Sequence, residues 1–187
     1  MKMAKRILSL VLVLVMFASL SVTAFADDAG TVTINIVVDG VTDPHTAPAG
    51  ITLQKALNNL YDKGEIEEPQ WKKVADWEHP DVTHYALTGI GDVVSKTGTA
   101  TDLHAANQYL TLDEDDAVAN HPGYYLISSD NGYHYVYVGY DWTYTSTTVN
   151  NGDLYTYMCC YTLTPGETVT ITYSRQITDW TQENPLP

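Results

Sequence analysis

Apolar and polar positions alternate with a period of two over both ends of the chain, and one helical stripe lies between. Over residues 31–38, Val32, Ile34, Ile36 and Val38 share one face, and Thr31, Thr33 and Asn35 share the other. That alternation predicts a half-buried strand. Asp39-Gly40 is a turn signal, and residues 41–47 read as a short return strand weakened by Pro44. Thr52 is a candidate N-cap whose hydroxyl can accept a free amide of a first helical turn. Leu53, Ala56, Leu57, Leu60 and Tyr61 then recur at helical spacing and predict one apolar stripe, with Gly64 as its stop.

The pattern weakens over residues 65–122. Residues 65–81 carry two Trp, scattered charge and no clear period, which reads as an inserted loop. Residues 84–87 re-enter as a strand, and residues 89–94 mix turn and strand signals. A second short helix is predicted over 101–110, with Asp102 in its first turn and Leu103, Ala106 and Leu110 on one side. The acidic run Asp113-Glu114-Asp115-Asp116 follows, then a Pro-Gly break.

Residues 123–174 hold most of the chain's 14 tyrosines and dominate the reading. Strands are predicted over 124–129, 133–138, 142–149, 154–163 and 168–174. Asp130-Asn131-Gly132 supplies a hairpin turn, and Thr164-Pro165-Gly166-Glu167 a second turn. Val169, Ile171 and Tyr173 are expected inward. Five strands on short turns predict one antiparallel sheet. The whole reads as α+β and β-grasp-like: one main helix packed on a mixed, mostly antiparallel sheet, with an inserted loop/helix region at about 65–122.

Composition adds a compartment. Lys2, Lys5 and Arg6 precede an apolar run at 7–20, and Ala24-Phe25-Ala26 is a small-x-small site before Asp27. Residues 1–26 therefore read as a signal peptide, and residues 27–174 as a single exported domain. No second apolar run has the length of a membrane span. Removing the leader takes three of the nine basic residues and none of the 23 acidic ones, so the formal charge goes from −14 to −17. Such a surface repels phosphate backbones and argues against nucleic acid as a partner. Residues 175–187 read as a polar, loosely packed tail.

Four signals in order resemble a family. They are the opening strand at 31–38, the Gly50-x-Thr52-Leu53-x-x-Ala56-Leu57 helix start, the Asp130-Asn131-Gly132 hairpin with Trp142-x-Tyr144, and the closing Tyr161-x-Leu163-x-Pro165-Gly166-Glu167-x-Val169. Together they resemble the secreted bacterial domains that are similar to the C-terminal β-domain of transcobalamin and intrinsic factor. The resemblance implies a β-grasp-like fold and export. It also implies cobalamin as a ligand class, with this chain as a corrinoid half-site completed by a separate helical partner. The inserts at 65–81 and 101–122 lie outside the family pattern.

The residues themselves point to binding rather than to a reaction. Nucleophile-elbow, phosphate-loop and dinucleotide motifs are absent from the sequence; acids are plentiful and none pairs distinctively, which leaves a secreted hydrolase as an alternative reading. No catalytic residue is assigned. Tyr and Trp combine a flat apolar body with a polar tip, which suits a binding surface. Tyr140, Trp142 and Tyr144 near a loop, with Asn131 and Tyr135 of the adjoining hairpin, form the candidate ligand surface. Tyr133, Tyr137, Tyr155, Tyr157 and Tyr161 are expected to extend it along the sheet. Its ligand would be an extracellular small molecule, a surface glycan or another exported protein.

Two weaker candidates remain. His79 and His84 flank Pro80 and offer metal ligands without helical zinc spacing, so no metal or other cofactor is assigned. Cys159 and Cys160 are the only cysteines. On a strand they would face opposite ways, which predicts one buried and one partly exposed thiol. A vicinal or intermolecular disulfide stays open, since an exported chain meets oxidant. The run at 113–116 reads as a solvated acidic loop.

Overall fold

The computed structural model describes residues 30–76, 81–129, 132–142 and 147–187. The leader and the Asp130-Asn131 turn lie outside them. The chain is mostly β, with mixed and antiparallel sheets and few helices. Among the described residues, no helix is long and apolar enough to cross a membrane.

The opening alternation forms as predicted. Strand β1 (Thr31–Val38) buries Val32, Ile34 and Ile36. Asp39 (φ 51°) and Gly40 (φ 78°) turn the chain into β2 (Val41–Pro48). Two positive φ angles fit the twist of a tight hairpin. Strand β2 matches the expected return to within one residue, and Pro44 does not break it. The reason is position: β2 is an edge strand, where the missing N–H of proline is tolerated.

Helix α1 (Leu53–Asp62) begins at Thr52, whose Oγ1 accepts from Lys55 N at 3.2 Å. It buries Leu53, Ala56, Leu57 and Leu60 over the sheet. Tyr61 does not join them and is 42% exposed. At 100° per residue it stands about 80° from Leu53, on the rim of the apolar arc. Gly64 (φ 72°) ends the helix.

Within the predicted loop, residues 69–75 form a strand. Strand β3 (Pro69–Ala75) pairs antiparallel with β4 (Thr83–Ile90), from Pro69 opposite Ile90 to Ala75 opposite Thr83, with a bulge between Gln70 and Trp71. The short β5 (Val93–Val94) completes this sheet. Strand β3 escapes a period-two reading because it is an exposed edge with Lys72 and Lys73 side by side, interrupted by the bulge. Trp71 Nε1 donates to Asn58 Oδ1 at 3.0 Å and ties the sheet to α1.

After β6 (Lys96–Thr97), α2 (Ala100–Ala105) is shorter than the predicted 101–110. Asn107 adopts φ 57°, and Leu110 is 60% exposed rather than on the helix's inner side. The acidic run forms a capped 3-10 turn (Glu114–Asp116). Glu114 accepts from Ala100 N and from the Tyr125 hydroxyl, so that acid fastens α2 to the next strand.

The Tyr-rich reach divides between two sheets, where one was expected. Strands β7 (Tyr124–Ser128) and β8 (Tyr133–Asp141) pair antiparallel, and β6 also pairs with β8. Strands β9 (Thr147–Val149), β10 (Gly152–Asp153) and β11 (Thr168–Thr172) join β1 and β2 in the order β10-β9-β11-β1-β2. There β11 runs parallel to β1, with Ile34 opposite Val169 and Ile36 opposite Ile171. Val169 and Ile171 are buried, as predicted.

The tail is a strand. Strand β12 (Ser174–Gln182) pairs with β8 over its full length, from Ser174 opposite Asp141 to Gln182 opposite Tyr133. Trp180 packs on Tyr124 and Tyr135, and the Pro187 carbonyl accepts from His121 Nε2 at 2.7 Å. Its polar composition reflects a half-solvated strand closing the edge of β8.

The predicted strand at 154–163 is absent. Residues 154–161 fold as turns, with Cys160 N and Tyr161 N both donating to Tyr157 O. The reason lies in α1. Leu53 N donates to Tyr161 O at 2.9 Å, and Gln54 N to Met158 O at 3.1 Å. Free amides of a helix's first turn need acceptors, and this segment supplies them instead of joining a ladder.

Candidate functional site: an aromatic cleft and a thiol-imidazole cluster

The middle of β4 with Val74 of β3, the β5–β6 segment, the end of β8 and the turn at Tyr157 and Met158 build a cleft of about 440 Å³. Tyr85, Tyr137, Tyr140, Trp142, Tyr157 and Met158 line it, with Lys96 and Asp141 as charged groups. Lys96 and Tyr140 are cross-strand partners, and the Lys96 ammonium lies 5.0 Å from the Tyr140 ring centroid. A cation over an aromatic face is attracted by the ring quadrupole.

Two of the predicted ligand residues, Tyr140 and Trp142, line this cleft. Trp142 is 1% exposed, and its Nε1 donates to Val93 O at 2.9 Å. It is a wall of the cleft, not a loop tip. Tyr140 stands beside it, linked through Tyr173, whose ring centroid is 6.2 Å from Tyr140 and 5.3 Å from Trp142. Tyr135 does not reach the cleft. It is buried, and its hydroxyl accepts from Leu186 N. Asn131 and Tyr144 lie outside the described residues.

The broad tyrosine face does not form either. Strand β8 is covered on both sides, so Tyr135, Val136 and Val138 are all buried. Tyr155 is 85% exposed in a turn, and Tyr161 donates to Glu167 Oε1 at 2.9 Å. Burial and that carboxylate push the Tyr161 phenol up to about 12.

Where the cleft passes Tyr85 and Tyr157 a second cluster begins. His84 precedes Tyr85 on β4, is 8% exposed and stacks on Tyr157 with ring centroids 4.4 Å apart. Its Nε2 lies 2.9 Å from Asp76 Oδ2. Its Nδ1 lies 3.3 Å from Cys160 Sγ and 3.9 Å from Cys159 Sγ. The two sulfurs are 3.7 Å apart, and Tyr85 N donates to Cys159 Sγ at 3.4 Å.

This corrects the strand reading of the cysteines. The turn after Tyr157 brings both sulfurs to one imidazole, and both are free thiols. It also changes the partners of His84. His79 lies outside the described residues, and the ligating atoms gathered around His84 belong to Cys159 and Cys160.

The electrostatics separate the three groups. Asp76, then Cys159, raise the His84 imidazole above its ordinary 6.5, against the effect of burial. Burial pushes the Cys159 thiol up, but the Tyr85 N–H, His84 and Cys160 outweigh it and hold Cys159 below its ordinary value. Burial and the neighbouring Cys159 push Cys160 up. Cys159 is therefore the thiol that ionises first. A carboxylate, an imidazole and a thiol in this order can activate sulfur or hold a soft cation.

Sequence reasoning missed this cluster because Cys159 stands 75 positions from His84. The usable signal was the adjacency of Cys159 and Cys160; that their turn lies against the start of α1 is visible only in the fold. In sequence, the chain matches no protein-family model and no curated protein.

Proposed function

We propose that the chain is an exported, non-enzymatic binding module that holds a small ligand with a flat apolar face in the aromatic cleft. The cleft itself carries this reading. Its volume of about 440 Å³ lies within the range of small-molecule sites. Its walls are aromatic, and its few charged groups, Lys96 and Asp141, suit the orienting role such sites give to polar side chains. Several of the rings are held by fixed partners: Trp142 by Val93 O, Tyr140 by Asp102, and Tyr173 by Val94 O. Rings already in place lose little entropy on binding. A planar heterocycle or one face of a sugar ring fits this lining.

The test is ligand-observed NMR of the mature chain against panels of monosaccharides, short glycans and aromatic heterocycles. Hits should disappear in Tyr140→Ala and persist in Tyr155→Ala, since Tyr155 is exposed and does not line the cleft. Hits that survive Tyr140→Ala would remove the cleft from the argument. Export is tested separately, by the N-terminus of protein recovered from culture medium, which should be Asp27.

A second reading rests on topology. The β1–β2 hairpin, the crossing helix α1 and the parallel return of β11 beside β1 support a β-grasp-like unit. That unit favours a corrinoid half-site completed by a separate helical protein. Visible absorbance that stays with the chain through gel filtration after incubation with cobalamin would support it. A colourless protein counts against it.

A further inference from the structure

We propose that His84 Nδ1, Cys159 Sγ and Cys160 Sγ bind one zinc ion, with Asp76 orienting the imidazole and a fourth position left to solvent or ligand. The three donors are not cleft-lining residues, although His84 stacks on Tyr157 of the cleft wall, and the inference does not depend on what the cleft binds.

The spacing of the donors carries the inference. Around tetrahedral zinc, with Zn–S of about 2.3 Å, two sulfurs stand about 3.8 Å apart. The two sulfurs here are 3.7 Å apart. With Zn–N of about 2.0 Å, nitrogen and sulfur stand about 3.5 Å apart. The observed separations, 3.3 and 3.9 Å, bracket that value. A small rotation of the ring equalises them.

The imidazole is set for this role. Asp76 Oδ2 accepts from Nε2, which fixes the proton there and leaves the Nδ1 lone pair facing the sulfurs. A carboxylate behind the ligating histidine is the usual outer support of a zinc site. Tyr85 N–H donates to Cys159 Sγ and supports negative charge on that sulfur.

The donors come from elements that are already fixed. His84 lies in β4, paired along β3, and the cysteine turn is held by the first amides of α1. Both sulfurs face the same nitrogen. A nucleophilic site uses one thiol, whereas a metal uses both. Cys160 is exposed, so the fourth position opens to solvent. The donor set is two sulfurs and one nitrogen, which suits zinc over calcium or magnesium. Binding displaces one proton from each thiol into solvent, and two thiolates with a neutral imidazole balance the dication.

The test uses the full mature chain, reduced and stripped of metal. Zinc is titrated against a chromophoric chelator, and stoichiometry is read by native mass spectrometry. One equivalent is expected, with proton release and, for cobalt(II), thiolate charge-transfer bands and intense four-coordinate d–d bands. Cys159→Ser and Cys160→Ser should each abolish stoichiometric binding, and Asp76→Asn should weaken it about 10–100-fold. Tyr140→Phe should leave it unchanged, which separates failure here from failure of the cleft. Wild-type chain that takes up no zinc, or a double Ser variant that still does, overturns the proposal. Stoichiometric loading by copper(I) but not zinc overturns the metal assigned.

Discussion

The Tyr140 hydroxyl donates to Asp102 Oδ1 at 2.5 Å, joining a wall of the aromatic cleft to the first turn of α2. The other carboxylate oxygen accepts from Thr99 N at 2.7 Å and from the Thr99 hydroxyl at 2.9 Å. Asp102 thus closes the helix's capping box while fixing the Tyr140 ring. Arg175 of β12 donates to the Asp102 carbonyl, so the same residue also gathers the last strand.

A pH dependence follows from that arrangement. Tyr140, with help from Thr99 and Lys96 and against burial, holds the Asp102 carboxyl below its ordinary 3.8. A depressed carboxylate stabilises the fold above its unfolded pKa, and that stability is lost as pH falls through the folded one. Wild-type stability should therefore decline below pH 3.8 on this account. In Tyr140→Phe Asp102 is less depressed, so the acid decline should be smaller, starting from a stability lowered by about 1 kcal/mol at neutral pH for a half-exposed pair. Urea melts across acid pH, with the Asp102 side-chain carbon followed by NMR, check both statements. Coincident acid profiles for the two proteins would remove the Tyr140 contribution.

Gly139 should be intolerant of a side chain. A Cβ there would overlap the Tyr137 hydroxyl and press on its ring, which lines the cleft. Gly139→Ala should cost about 1–3 kcal/mol, the usual range for overpacking. Urea denaturation measures the loss, and weakened binding of any cleft ligand should accompany it. A variant as stable as wild type would mean that Tyr137 moves freely.

What could be read in the sequence divides along physical lines. The β1 alternation, the Thr52 cap and the stripe from Leu53 to Leu60 were legible because each is a local pattern answered by a local structure. The turn at Thr164-Pro165-Gly166-Glu167 was legible for the same reason, since Gly166 adopts φ 81°. Strand β3 was not legible, because an exposed bulged edge shows no alternation. The turn at 154–161 was misread because its aromatic alternation is strand-like, while the demand that shaped it came from the amides of α1. In the candidate site, Tyr140 and Trp142 were found as chemistry but misplaced as surface. The pairing of His84 with two cysteines exists only in three dimensions.

Strand β12 supplies a test of the one long stretch whose composition misleads. Trp180 is half-buried between Tyr124 and Tyr135, with ring centroids 5.6 and 5.8 Å away. Trp180→Ala should cost about 2 kcal/mol, below the range for a fully buried tryptophan. Backbone amides of residues 174–182 that bond to β8 should resist hydrogen exchange in the wild type and lose protection in the variant. Rapid exchange there in the wild type would return this segment to a loose tail.

Tyr161 contributes at the alkaline end. Burial and the hydrogen bond to Glu167 raise its phenol from 10.0 to about 12. The sign is opposite to that of Asp102. A raised folded pKa contributes stability that is complete below the unfolded value of 10.0 and is lost as pH rises toward about 12. In spectrophotometric titration, Tyr161 should ionise later than an ordinary phenol, and Tyr161→Phe should remove one late-titrating group. Glu167→Gln should bring the Tyr161 transition down, because it removes the charge but keeps an acceptor. It should also weaken the Thr164-Pro165-Gly166-Glu167 turn, where Glu167 Oε2 accepts from Thr164 N at 2.8 Å. If Tyr161 ionises near 10 in wild type, its contact with the Glu167 carboxylate is absent in solution, and Glu167 serves the closing turn only through Thr164 N.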